Sequence, residues 1–190
     1  HIRQLVHTQG IKAASPFAPQ AAMELYRQAA EQGQLADPEK FSTAVLTLLR
    51  TKTPEQLSTL RGAGEGLENR LYAAAREAET VNDLYDRLKT KRYPTARLRR
   101  LVLDAVLDVP AAGLPALPPY LLVLGAKRSA LPLLKHAKIP AGTSLAGLAG
   151  QDQKLQIAAD MHSKAVDFSL LCRYKIQPMG HAYTAHVVLL

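Results

Sequence analysis

The sequence has one cysteine, Cys172, in 190 residues. That excludes an internal disulfide framework and fits a reducing compartment. Tryptophan is absent and aromatic residues make up 5%, so Leu and Ala must fill most of the core, which favours helix over sheet. No run of 18 apolar residues occurs and no secretory leader pattern is visible, so no membrane partner and a cytoplasmic location are expected. His1, His7, His136, His162, His181 and His186 show no metal-binding spacing with Cys or carboxylates, and Cys172 reads as a core residue. With no nucleophile elbow, no HExxH and no paired carboxylates, neither a metal site nor a catalytic centre is read from the residues.

Acid is also scarce in one place. The chain carries a formal net charge of +8 and a pI near 9.7, a balance that biases it towards polyanions. Residues 87–100 hold seven Lys or Arg and no Asp or Glu: Arg87, Lys89, Lys91, Arg92, Arg97, Arg99 and Arg100, with Tyr93 among them. So much like charge repels itself unless something negative meets it. Such cations around a turn can follow a phosphate backbone, with Tyr93 either stacking on a base or anchoring the turn. The bland alternative is a solvated helix face. The GAGEG segment, 62–66, reads as a helix-to-helix turn rather than an anion cradle, since no Gly-Lys-Ser/Thr follows and Glu65 and Glu68 oppose an anion.

Helical signals recur along the chain. Pro19 and Gly33 bracket one helix; Asp37-Pro38 and Thr53-Pro54 open two more with a cap and a proline. Thr80 with Asp83 approximates a capping box before Val81, Leu84, Tyr85 and Leu88. Leu98, Leu101, Val102, Ala105 and Val109 form the stripe of a helix that leaves Arg97, Arg99 and Arg100 outside it. Residues 11–18 read as a loop, 110–119 as a Pro-rich connection, 127–136 as helical with Pro132 inside, 140–150 as a Gly- and Ala-rich connection, and 152–174 as a long, mostly buried helix. YLLVLG, 120–125, stays open between a short strand and a buried helix, and the tail YTAHVVLL reads as extended or frayed. The class expected is all-α.

The block EGLENRLYAAAREAETVNDLYDRLKTKRYPTARLRRLVLDAVLDV, 65–109, resembles the C-terminal half of the bacterial tRNA(Met) cytidine acetate ligase family. Glu65 to Arg70 match its E-G-[LI]-E-N-R element; Lys89 to Tyr93, Arg97 and Arg100 match its basic element, with Pro94 in place of the usual Thr. Weaker similarity continues through 120–134, Ala165 and Asp167, and His181 to Thr184. It departs at Ala126, Lys127, Ser169 and Ala182. His1-Ile2-Arg3 resembles the end of a motif that closes a nucleotidyltransferase domain.

The resemblance implies a multi-helix C-terminal tRNA-binding domain at 13–190, preceded at 1–12 by a short remnant of an upstream α/β nucleotidyltransferase domain. The adenylating domain with its His-x-Gly-His motif would then lie upstream and this chain alone would be inactive. The implied enzyme makes N4-acetylcytidine at the wobble position of elongator tRNA(Met) through acetyl-adenylate. It uses ATP and acetate, with Mg2+ admissible. The implied tRNA contacts are Lys89, Lys91, Arg92, Tyr93, Arg97, Arg99 and Arg100, with Arg87 assisting. Arg3 would touch the nucleotide, and Asn69 and Arg70 would sit at a domain junction. A non-catalytic helical RNA- or protein-interaction module, or a nucleotidyltransferase relative with another acceptor, remain the alternatives.

Overall fold

Local chemistry sets the first helices where the capping pattern puts them. A computed structural model describes residues 2–112 and 117–189, with the backbone alone at Arg3. Helix α1 (Ile2–Gln9) packs on a 3₁₀ helix, Ile11–Phe17, where the sequence reads as a loop, and α2 (Gln20–Glu31) follows. At α3 (Pro38–Arg50), Asp37 accepts hydrogen bonds from the amides of Glu39 at 2.9 Å and Lys40 at 3.3 Å. At α4 (Pro54–Ser58), Thr53 and Gln56 form a full capping box. These acceptors satisfy first-turn amides that the helix itself leaves open.

Helices α5 (Leu67–Glu77), α6 (Val81–Leu88) and α7 (Thr95–Leu107) close the larger core with α3 and α4. Val45, Leu49, Leu71, Leu84, Leu88, Leu98 and Val102 are fully enclosed there. Burying each such side chain contributes roughly 1.5–3 kcal/mol. Helix C-termini in this bundle are closed by arginines. Arg50, at the end of α3, donates to the carbonyls of Ala75 at 2.9 Å and Ala78 at 2.7 Å, beyond α5. Arg76 in turn donates to Lys52 at 3.3 Å and Arg50 at 3.5 Å, and covers the Tyr72 ring at 3.2 Å. Each guanidinium meets carbonyls at the negative end of the other helix.

The all-α expectation is corrected beyond residue 119. Strands β1 (Leu121–Leu122), β2 (Gly125–Ala126), β3 (Ala141–Gly142) and β4 (Val188–Leu189) form two parallel pairs: Leu121 opposite Ala141 and Leu122 opposite Gly142, then Gly125 opposite Val188 and Ala126 opposite Leu189. Two residues per strand are too few for alternation to register in a sequence, and the partners are distant in the chain. YLLVLG therefore contributes to two short strands, and the tail runs from the last turn of α10 at Tyr183–Thr184 into β4. The segment around Pro132 is a 3₁₀ helix, Arg128–His136, not an α-helix, because proline removes a donor that an α-helical ladder needs.

A second, smaller core joins α8 (Leu145–Ala149), α9 (Gln153–Leu171) and α10 (His181–Thr184) around Leu145, Ala149, Ala159 and Ala182. Helix α9 is less buried than its sequence implies: Leu155, Ala159, Ser163 and Leu170 are enclosed while Ile157 and Leu171 are exposed. The Pro-rich connection at 110–119 falls partly on 113–116, outside the described residues.

Two contacts join α9 to the larger core. Phe41 meets Phe168 edge-on at 5.9 Å. Asp108, which ends α7 in the left-handed conformation at φ 56°, bonds both Lys52 and Lys164. Burial pushes the Asp108 carboxyl up, but the hydrogen bonds from Lys164 and Lys52 outweigh it and leave it below its ordinary range. A depressed acid contributes stability that is present above its unfolded pKa, near 3.8, and is lost as the pH falls through the folded value. The variant Asp108→Asn suits the left-handed backbone equally well. It is expected to be less stable than the parent at neutral pH and to lose less stability on acidification below about pH 4, measured by thermal melts across pH.

Candidate nucleic-acid interface

The basic connection between α6 and α7 is built from the inside outwards. Thr80 caps α6 by accepting from the Asp83 amide at 3.1 Å, and Asp83 reaches back to the Glu79 amide at 3.0 Å. That backbone bond, with help from Arg87, holds the Asp83 carboxyl below its ordinary range. At the other end of α6, Arg70 from α5 donates to the carbonyls of Arg87 at 2.6 Å, Leu88 at 3.1 Å and Lys89 at 3.4 Å. The five-donor fork of arginine suits several converging carbonyls. Arg70 is thus the clamp on which the connection starts. Its neighbour Asn69 is exposed, its side-chain amide 3.4 Å from Glu68.

The turn itself closes on Thr90, whose hydroxyl accepts from the amides of Arg92 at 3.2 Å and Tyr93 at 3.3 Å. Tyr93 is only 8% exposed. Its hydroxyl donates to the Glu65 carboxylate at 3.1 Å, and Arg92 and Arg97 lie over its ring at 5.4 and 4.8 Å. The ring is thus buried and its hydroxyl ties the turn to Glu65. Pro94 then opens α7 with no side-chain cap and no acid in the first turn. A Thr side chain at that position could accept a first-turn amide and Pro's cannot, so the acceptor there is the Pro94 carbonyl, which takes the amides of Arg97 at 2.9 Å and Leu98 at 3.3 Å.

The seven cations divide by their partners. Arg87 is held by Asp83 at 2.9 Å and Glu77 at 2.7 Å. Arg92 pairs with Glu65 at 3.1 Å and Arg97 reaches the same carboxylate at 3.9 Å. Lys89, Lys91, Arg99 and Arg100 are exposed, and among the described residues no carboxylate lies within 4.0 Å of their charged groups. Arg99 lies over Tyr85 at 5.6 Å; burial pushes the Tyr85 phenol up while Arg99 pulls it down. The connection therefore has a core of matched charge and an outer set of four open cations. The side chain of Arg3 lies outside the described residues.

Glu65 is the residue that reading the sequence for function undervalues. It sits at φ 57° between Gly64 at 118° and Gly66 at 80°, a backbone in which glycine is the default and glutamate is not. That strained turn aims its carboxylate at Tyr93 and the two arginines. The signal available was the glycine on either side of one acid just before a helix. GAGEG is accordingly no anion site: Glu68 takes the Gly64 amide at 3.0 Å.

The weaker similarity of the C-terminal third maps onto scaffolding. Asp167 accepts the Gly180 amide at 2.9 Å and so positions α10. Tyr183 donates to Asp160 at 2.6 Å, and burial followed by that bond pushes its phenol up to about 12. Ala182, one of the positions where the similarity departs, is buried in the small core. Among the described residues no group of three or more His, Cys, Asp or Glu could hold a metal, and no helix is long and apolar enough to cross a membrane.

Two substitutions test this construction. Arg70→Ala is expected to cost about 2 kcal/mol through lost charged hydrogen bonds, or roughly 4–8 °C in Tm for a chain of this size, by thermal denaturation. Glu65→Gln keeps the size but frees Arg92 and Arg97. It is expected to lower Tm slightly while strengthening retention on a phosphate-bearing resin, read by salt elution.

Comparison with known proteins places this geometry in context. The family described as HIGH Nucleotidyl Transferase matches residues 1–180. The tRNA(Met) cytidine acetate ligase of Caldanaerobacter subterraneus subsp. tengcongensis is 31% identical over 143 residues, covering 72% of this chain and 34% of that protein. The protein of the same name from Acetivibrio thermocellus is 28% identical over 165 residues, 80% of this chain and 40% of that protein. The crystal structure of Thermotoga maritima TmcAL bound with alpha-thio ATP superposes with a TM-score of 0.87 at 22% identity, over all of this chain and 50% of that one. The chain thus spans about a third of the length of the curated relatives it matches. The match puts the nucleotidyltransferase description on residues 1–180, which corrects the expectation that this domain lies wholly upstream. That expectation came from one short nucleotide-binding motif, whereas the match extends over the chain as a whole. It also bears on the all-α class, already overturned by the parallel strand pairs.

Proposed function

The chain belongs to the HIGH Nucleotidyl Transferase family, and from that premise we propose that it supplies the tRNA-holding part of an ATP-dependent tRNA(Met) cytidine acetate ligase. The observation that carries the reading is the set of four open cations, Lys89, Lys91, Arg99 and Arg100, held on a connection whose other charges are already matched. Relatives named as tRNA(Met) cytidine acetate ligases and the ATP-analogue complex of a structural neighbour support the rest. In this reading the substrate is elongator tRNA(Met), the product N4-acetylcytidine at the wobble position, and the activated species acetyl-adenylate, made from ATP and acetate.

The division of labour follows from the chemistry in view. The outer cations hold phosphates, and the buried Tyr93–Glu65 contact keeps their backbone in one conformation before the RNA arrives, which lowers the ordering cost of binding. Adenylation needs groups that grip a triphosphate and align acetate, and this reading gives that work to none of the connection's four open cations. Loss of acetate-dependent ATP turnover in the whole enzyme on changing those four would overturn that assignment.

Each neutralised phosphate steepens the salt dependence of affinity by roughly 0.7–0.9 log units per log of salt. The quadruple change of Lys89, Lys91, Arg99 and Arg100 to Ala is expected to flatten the slope by about 3, read by fluorescence anisotropy with a tRNA(Met) transcript. Unchanged affinity and slope would remove the connection as the tRNA surface. Binding to an acidic protein in preference to tRNA would replace the reading with a protein-interaction module.

A further inference from the structure

A second stretch of the chain is starved of acid. From Val109 to Gln151 the sequence contains no Asp or Glu, yet it includes Lys127, Arg128, Lys135 and Lys138. All four side chains are exposed, and among the described residues none lies within 4.0 Å of a carboxylate. We infer that these four cations form a second phosphate-contacting surface for RNA, separate from the connection between α6 and α7; the inference rests on the tRNA-holding reading above.

The backbone explains why the four are presented together. Strand β2 ends at Ala126, one residue before Lys127, and β3 begins at Ala141, three residues after Lys138. Each strand is paired, with β4 and β1 respectively, so both ends of the segment are fixed to the smaller unit of the fold. Between them runs the 3₁₀ helix Arg128–His136, started by the Ala130 amide donating to Lys127 at 2.9 Å and closed by the Ala137 amide donating to Leu134 at 3.1 Å. In a 3₁₀ helix side chains three apart stand on one face. Leu131 and Leu134 share the face that is half-buried. Arg128 opens that same register, Lys135 shares a second face with Ser129 and Pro132, and Lys127 and Lys138 flank the helix at its two ends, so the four cations are spread along one short exposed segment.

The chemistry favours RNA over a protein partner. The helix encloses no side chain fully; Leu131 and Leu134 are half-buried and Leu133 is exposed. What it offers outwards is mainly flexible, strongly hydrated point charges. These suit phosphates, which attract at range without needing matched shape, better than the close-packed core of a protein interface.

The test uses the 190-residue chain and unfractionated bacterial tRNA across a series of monovalent salt concentrations. Two variants are compared: K127A/R128A/K135A/K138A, and K89A/K91A/R99A/R100A. Each removes exposed side chains, and circular dichroism checks that each keeps its helix content. The 127–138 variant is expected to flatten the salt slope by roughly 3 log units per log of salt and to weaken binding at least tenfold at low salt. On the unsubstituted chain, tRNA is expected to protect Lys127, Lys135 and Lys138 from amine acylation, read by mass spectrometry. A parental slope in the 127–138 variant overturns the second surface, and so does equal acylation with and without tRNA. Loss in that variant with none in the 89–100 variant upholds the second surface and overturns the α6–α7 assignment instead. No salt-dependent tRNA binding by the parent overturns both, and preference for polyglutamate over tRNA at equal salt overturns RNA as the partner.

Discussion

The guanidinium of Arg70 on the carbonyls of Arg87, Leu88 and Lys89 is the contact on which the candidate interface stands. A helix of eight residues such as α6 leaves half of its carbonyls without an internal partner. The chain beyond it must also leave in a direction that keeps six cations from folding back on the core. A charged donor with a fixed fork solves both at once: it satisfies the carbonyls and offsets the negative end of the helix. Thr90 and Tyr93 then define the turn, and the first turn of α7 is reached without a side-chain cap. The order of events in the chain, a clamped end, a tight turn and an uncapped start, concentrates positive potential without any residue dedicated only to that purpose.

Counter-charge is distributed sparingly. Glu65 serves Tyr93, Arg92 and Arg97 together, and Glu77 and Asp83 share Arg87. These pairs are exposed enough that each contributes little to stability. Their effect is on geometry, since they fix which cations are matched within the chain. A fully neutralised connection would lose its field, while a wholly bare one would repel itself. Asp104 shows the other regime: only 5% exposed, it takes a two-point grip from Arg61 at 2.6 and 2.9 Å and joins the end of the α4 loop to α7. Breaking such a pair strands a buried carboxylate, which is costly.

Legibility in the sequence followed the range of the forces involved. Caps were readable because their partners lie two or three residues away: Asp37, Thr53 and Thr80 all act as their spacing implies. The apolar stripes of α5 to α7 were readable because helical period repeats over eight residues or more. The basic connection was visible as composition. What composition could not separate was Arg87, already paired, from Lys91, open, because that depends on Glu77 ten residues away and on the fold between them. Nor could it show Tyr93 buried, since its hydroxyl partner is Glu65, 28 positions back. The strands were missed for the same reason in a stronger form. Gly125 meets Val188 across most of a domain, and neither residue carries a strand signature by itself. Pro132 inside the helical segment yields a tighter 3₁₀ helix rather than a break.

The crossed arginines of α3 and α5 have a bearing on how this bundle breathes. Arg50 closes the end of α5 and Arg76 closes the end of α3, so neither helix can fray at its last turn without stripping the other of its donor. Two termini that would ordinarily loosen independently are tied into one cooperative opening, and the short Thr51–Thr53 link between α3 and α4 moves with them. Local melting is thereby steered away from this corner of the bundle and towards ends that lack such reciprocity.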